Sequence, residues 1–140
     1  MVGDIHGMLD EFRRLVDGLR LELDDRLILV GDLMDKGPRP AECVRFAREI
    51  GAEMVLGNHE ESHLRWRRHE DRRRAVGTPN PMRAWDEHRR FQNEALSADD
   101  IAWLSGLPSL LRVGNWLIVH GGLLPGLAIR DQRVDTMLRV

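Results

Sequence analysis

The chain has 140 residues, enough for one domain that buries about 68–70% of its unfolded surface. Its hydrophobic fraction of 42% and charged fraction of 31% exclude disordered and fibrous classes, and a formal net charge of -2 gives no global pull toward nucleic acid or anionic membrane. No apolar run approaches the ~20 residues of a membrane span, the lone Cys43 has no partner for an internal disulfide, and Asp4 follows the start with no basic stretch before it, so a cytoplasmic setting is expected.

In chain order, Met1 and Val2 form the end of a short strand leading into Gly3-Asp4-Ile5-His6-Gly7. Met8, Phe12, Leu15, Val16 and Leu19 recur at helical spacing, which predicts a helix from Met8 to Leu21. Arg26 to Val30 reads as a strand whose continuous apolar run suits a parallel sheet covered on both faces. Ala41 to Ile50 is a second helix with Gly51 as its stop, and Glu53 to Leu56 a third strand. Helices are expected over Glu60 to Arg74 and Arg83 to Leu96, and a short one after Ser97, whose spacing to Asp100 matches a capping box. Leu110 to Val113 and Trp116 to Val119 flank Gly114-Asn115, a two-residue hairpin signal. The expectation is an α/β fold: a mixed sheet with flanking helices, the antiparallel pair added late.

Four strands end alike: apolar residues give way to glycine and then to Asp, Asn or His. Such strands deliver ligands to one end of a sheet. Asp4 and His6, two residues apart on an extended segment, can face one site. Asp32 can bridge two ions with its two oxygens, Asn58 offers an amide oxygen, and His120 an imidazole nitrogen. Mixed oxygen and nitrogen ligands suit Mn²⁺ first, with Fe, Co or Zn as alternatives, over Ca²⁺ or Mg²⁺. Two such ions clamp the attacking and leaving oxygens of a phosphoryl displacement and acidify the water they share, which serves as nucleophile. His59 is the natural general acid for the leaving oxygen, with Asp35 holding its tautomer.

These segments, Gly-Asp-Ile-His-Gly, Gly-Asp-Leu-Met-Asp-Lys-Gly-Pro, Gly-Asn-His-Glu and His-Gly-Gly, in this order, resemble the calcineurin-like metallophosphoesterases and within them the phosphoprotein phosphatase branch. Lys36-Gly37-Pro38 and Ala47-Arg48-Glu49 look closest to the bacterial symmetrical diadenosine tetraphosphate hydrolases. The resemblance implies Asp4, His6 and Asp32 at one metal, Asp32, Asn58 and His120 at a second, and His59 with Asp35 as the acid pair. It implies hydrolysis of a phosphomonoester or dinucleoside polyphosphate, on a small-molecule or phosphoprotein substrate. The family usually has Arg where this chain has Lys36, and Lys is a point charge where Arg is a fork. The family also places a further metal-ligating His on later strands. Residues 1–140 are therefore expected to be the front part of an αββα sandwich, incomplete at both ends. The second sheet would be largely missing and the second metal would be one ligand short. The sheet face left open would favour self-association.

Other readings compete. Any one of these Asp or Asn residues is a common turn former, but the set with three histidines is not. A catalytically reduced metal-binding or interaction module is the alternative to an enzyme. Residues 61–90 hold nine arginines against five acids, a local charge of +4. That stretch reads as a solvated helical face or a clamp for substrate phosphates. Arg65, Arg68 and Lys36 are the candidate contacts, since Arg65 and Arg68 share a helix face that Arg67 does not. The acidic ligands nearby argue against nucleic acid. His63, His69 and His88 are expected on solvated helix surfaces, the four tryptophans in packing, and Cys43 in the core.

Overall fold

The apolar run after Arg26 becomes a short strand, β1 (Ile28–Leu29), flanked by parallel partners on both sides. A computed structural model describes every residue except Arg83 and Val140. On one side β1 pairs with β2 (Glu53–Met54), with Ile28 opposite Glu53 and Leu29 opposite Met54. On the other, Val2 bridges to Leu29. The three segments named in the sequence as ligand-bearing strand ends thus lie side by side, and each leaves its loop at the same edge.

Helix α1 (Leu9–Leu19) joins the first two segments and α2 (Pro40–Glu49) joins β1 to β2. α1 buries Leu9 and Phe12 and stops where Arg20 turns left-handed, at φ 49°. α2 begins on Pro40, whose missing N–H costs nothing in a first turn, and buries Cys43, Val44 and Ala47. The two helices meet at Phe12 and Phe46, edge to face with ring centroids 5.0 Å apart. Phe12 is the side chain whose truncation would hurt this layer most, by about 3–5 kcal/mol for a buried Phe→Ala change.

α3 (Asn58–Val76) starts directly from the loop after β2 and ends at Gly77, which takes the left-handed φ of 72°. It has few apolar residues, and its inner face carries the buried polar side chains Glu60, His63 and Glu70 beside Leu64 and Trp66. α4 (Glu87–Glu94) is shorter than the helix expected over 83–96, and Arg83 lies outside the described residues. Its start is fixed by Asp86, which accepts from Arg89 N at 2.9 Å. α5 (Ala98–Ser105) has the expected capping box between Ser97 and Asp100. The fully buried Asp100 carboxylate also receives Arg48 and Arg45, which locks α5 onto α2.

β3 (Leu111–Val113) and β4 (Trp116–Ile118) form the expected hairpin but not one continuous mixed sheet with β1 and β2. The two pairs meet through side chains: Ile118 packs with Ile28 and Val55. Among the described residues the hairpin adds no backbone hydrogen bonds to the parallel ladder; Leu56 N donates to Pro108 O nearby, at 2.8 Å. Trp116, expected in packing, is 73% exposed on its outer side. The closing helix α6 (Val134–Arg139), which the sequence reading did not foresee, buries Met137 and Leu138 and accepts Gly121 N at Met137 O. Among the described residues no helix is long and apolar enough to cross a membrane.

Candidate metal centre

The loop after β1 is bent in a way few residues tolerate. Asp32, Asp35 and Lys36 have φ of 57°, 66° and 60°, and His6 in the neighbouring loop has 46°. Non-glycine residues held there cost about 1–3 kcal/mol each, so something must over-determine the turn. That something is Glu60, fully buried in the first turn of α3. Its Oε2 accepts Asp32 N at 2.8 Å, and its Oε1 accepts Leu33 N at 2.8 Å and Met34 N at 2.9 Å. Burial, and then the charge of Asp32, push the Glu60 carboxyl upward in pKa. Gly31 completes the turn at φ 100°, and a Cβ there would stand 2.7 Å from His120 Nδ1 and 2.8 Å from Gly57 Cα. Three ligand loops can close on one point only because that position is glycine.

The point they close on is the Asp32 carboxylate, which is 3% exposed. Its Oδ2 lies 3.4 Å from His120 Nε2, 3.7 Å from His6 Nε2 and 3.8 Å from His59 Nε2. Asp4 Oδ2 is 3.4 Å from His6 Nε2. Asn58 Oδ1 is 2.9 Å from His120 Nε2. Two three-residue groups, His6 with Asp32 and His59, and Asp4 with Asp32 and His120, hold ligand atoms within 4.8 Å of one another, and Asp32 belongs to both.

Hydrogen bonding settles which nitrogen each ring offers. His6 Nδ1 is 2.7 Å from the carbonyl of Met34, which can only accept, so Nδ1 carries hydrogen. Its Nε2 then holds a lone pair, and Lys36 Nζ, a pure donor, sits on it at 2.8 Å. His120 Nδ1 likewise donates to Val30 O at 2.6 Å. Its Nε2 faces Asn58 Oδ1 and Asp32, and the Asp32 carboxylate raises its pKa to about 9, so His120 donates from both nitrogens and a cation held there would have to displace the Nε2 proton. Backbone carbonyls that fix Nδ1 and aim Nε2 are the usual support of metal-binding histidines. Carboxylate, amide and imidazole donors about one shared carboxylate fit a pair of borderline divalent ions better than a Ca²⁺ cage.

His59 faces the same carboxylate from a differently built side. Its Nδ1 contacts Asp35 Oδ2 at 2.5 Å. Asp35 also receives His63 Nε2 at 2.9 Å and a two-pronged Arg89, Nε at 2.9 Å and Nη2 at 2.5 Å. Burial alone would raise the Asp35 pKa. The bonds from His59, His63 and Arg89 outweigh it and hold the carboxyl well below its ordinary range. Asp35 in turn raises the pKa of His59 against burial, so His59 is biased toward the protonated form an acid needs.

Residues 1–138 match the model of the calcineurin-like phosphoesterases. The chain belongs to that family. The symmetrical bis(5'-nucleosyl)-tetraphosphatase of Aromatoleum aromaticum is 40% identical over 129 residues, covering 89% of this chain and 44% of that protein. The protein of the same name from Nitrosospira multiformis is 37% identical over 139 residues, covering 95% and 46%. A crystal structure provisionally assigned as a diadenosine tetraphosphatase superimposes with a TM-score of 0.77 at 28% identity, covering 96% of this chain and 54% of that one. A metallophosphoesterase from Sphaerobacter thermophilus shares the fold, with a TM-score of 0.65 at 23% identity over 86% and 45%. The chain spans less than half the length of these two tetraphosphatases.

In this phosphoesterase domain Asp4, His6, Asp32, Asn58, His59 and His120 all come together, with Asp35 behind His59 and Lys36 against His6. Lys36, His59, Asp35 and Arg89 share a groove of about 300 Å³ with Asp86 and His88. Arg65 and Arg68 are placed elsewhere: both turn to Glu61, at 3.8 Å and 3.9 Å, and neither lines that groove. His63, expected in solvent, is fully buried. Sequence reasoning missed it, Glu60 and Arg89. The available signal for Glu60 and His63 was position: Glu60 follows His59 directly, and His63 lies one helical turn after it, on the same face.

Proposed function

We propose that this domain hydrolyses phosphoester or phosphoanhydride bonds with two divalent cations, and that its substrate is a dinucleoside polyphosphate. Asp4, His6, Asp32, Asn58 and His120 would hold the cations, with Mn²⁺ the first candidate and Fe, Co or Zn the alternatives. When bound, the pair supplies Lewis-acid activation of water and neutralisation of phosphate charge. The chain's own residues do the rest. His59 Nε2 faces the centre and delivers a proton to the leaving oxygen, while its Nδ1–H stays on Asp35. Lys36 lies where a phosphate oxygen would need a cation. The substrate class comes from relatives named as tetraphosphatases, and the groove beside His59 and Lys36 is open enough to take more than one phosphate. A phosphorylated protein is the competing substrate, because the centre itself selects a phosphate and not what it is attached to.

The observation that carries the reading is the convergence of three Nε2 atoms on one Asp32 oxygen. The test is hydrolysis of diadenosine tetraphosphate and of aryl and alkyl phosphates, each with and without Mn²⁺. Activity should require the metal. His59→Ala should slow alkyl esters by about 10²–10⁴-fold and activated aryl phosphates far less, since only a basic leaving oxygen needs its proton supplied. Equal losses on both would remove His59 from the acid role, and metal-independent turnover would remove the whole reading.

A further inference from the structure

Asp35 has a full set of partners. A carboxylate has about four acceptor sites, and here His63 Nε2 and Arg89 Nε occupy Oδ1 while His59 Nδ1 and Arg89 Nη2 occupy Oδ2. A carboxylate bonded on both edges cannot rotate without breaking several bonds. One of the four donors, His63, is a residue whose protonation is not fixed by itself: either ring nitrogen could carry the hydrogen.

Its neighbours fix it. Arg67 Nε donates to Asn93 Oδ1 at 2.9 Å, and Arg67 Nη2 donates to Asn93 O at 2.7 Å. Arginine has donors only, so the Asn93 amide has its oxygen toward Arg67. Its Nδ2 therefore points the other way, donating to His63 O at 2.9 Å and lying 3.2 Å from His63 Nδ1. An amide nitrogen can only donate, so His63 Nδ1 accepts and its hydrogen is on Nε2, the atom facing Asp35. The neutral ring agrees with complete burial, which lowers the His63 pKa against the pull of Asp35. Each bond in the series has one permitted direction, from Arg67 to Asn93, His63 and Asp35.

We infer that Arg67, Asn93 and His63 are positioning residues that fix, through Asp35, which nitrogen of His59 faces the metal-binding carboxylates. The inference rests on the reading of His59 as the leaving-group acid. The direction set at Arg67 presents His63 Nε2–H to Asp35 Oδ1, which with the Arg89 fork keeps the carboxylate turned so that Oδ2 accepts His59 Nδ1–H. In that arrangement His59 Nε2, rather than Nδ1, is the atom that exchanges protons with substrate. The chain also ties α4, through Asn93 and Arg89, to the acid, so two helices set one tautomer.

The test uses the Zn²⁺-loaded chain labelled with ¹⁵N in its histidine rings. In the unaltered protein His63 should show an unprotonated Nδ1 and a protonated Nε2. In Asn93→Asp a carboxylate oxygen replaces the Nδ2 donor, so His63 should gain a proton on Nδ1. With that change, kcat/KM for alkyl phosphates should fall about 10–100-fold, the range for loss of a supporting residue, while activated aryl phosphates stay near the parent value and metal content is unchanged. Arg67→Glu, which offers only acceptors where Arg67 had only donors and so turns the Asn93 amide over, gives the same readings should Asn93→Asp not fold. Hydrogen on His63 Nδ1 in the unaltered protein would overturn the inference, whatever His59 does. So would a folded variant whose alkyl-to-aryl ratio does not move. Failure of the acid reading itself is recognised separately, by equal losses in His59→Ala with the His63 tautomer intact.

Discussion

His59 and His120 both point Nε2 at the same oxygen of Asp32, and little else about them is alike. His59 opens a 19-residue helix, and the residues behind it, Asp35, His63, Asn93 and Arg67, form a buried hydrogen-bonded series reaching into a second helix. His120 follows a hairpin whose outer face exposes Trp116, and its ring is steadied by a single backbone carbonyl, Val30 O, and by Asn58. The contrast fits the roles proposed for them, metal ligand for His120 and proton donor for His59. A metal ligand needs one nitrogen aimed, and a carbonyl on the other nitrogen does that. A proton donor needs its charge state set as well as its direction, and that takes a fixed anion and partners that keep the anion fixed.

Asp32 belongs to both sides, so its loss should erase the contrast. Asp32→Asn keeps the shape but lowers the charge and puts an NH₂ where one oxygen faced three imidazoles. Activity should fall by more than the about 100-fold expected from removing a supporting residue, and both cations should be lost together. Metal content after dialysis checks this. Retention of one cation at full occupancy would mean that the two ligand groups are independent.

The strand-end motifs were legible because each is local: an apolar run, a glycine and a polar ligand within seven residues, as at Val30 to Lys36. The hairpin at Gly114-Asn115 and the capping box at Ser97 were legible for the same reason. His63 was not. Pattern reading takes burial from apolar periodicity, and α3 is nearly all polar, so a histidine buried by hydrogen bonds leaves no periodic trace. Glu60 was hidden likewise, since its partners are backbone N–H groups that no side-chain pattern reports. The separation of the two sheets depends on Ile118 meeting Ile28 and Val55 by packing, which two short apolar runs do not foretell.

The anion at the centre of the His59 side gives a way to weaken that side alone. Asp35 titrates below its ordinary value of 3.8, so the folded state binds its proton less readily than the unfolded state does. The stability it contributes is complete well above pH 3.8 and is lost as pH falls through that value toward the depressed folded one. Asp35→Asn should therefore lower stability near pH 7, and the difference from the parent should shrink steadily below pH 4. Urea unfolding midpoints at pH 7, 5 and 3 measure it. A difference that stays constant across that range would mean Asp35 is not held as an anion by its four donors.

The smallest effect is expected at Arg65 and Arg68 on α3. Were they phosphate clamps, changing both to Ala would raise KM for a dinucleoside tetraphosphate strongly and leave a small aryl phosphate alone. Their geometry points to something weaker. Both reach toward Glu61, which also receives Arg139 at 3.1 Å, so one carboxylate already collects three guanidinium groups. The Arg68 side chain is 67% exposed, and exposed pairs are worth about 0–1 kcal/mol, or up to about five-fold in a binding constant. A phosphate that drew these arginines inward would have to compete with Glu61 for them. The double variant should thus shift KM for the polyphosphate by less than about five-fold, and Lys36→Ala, beside His6, by more. If the order is reversed, the substrate's phosphate chain runs along α3 and not through the groove between Lys36 and Arg89.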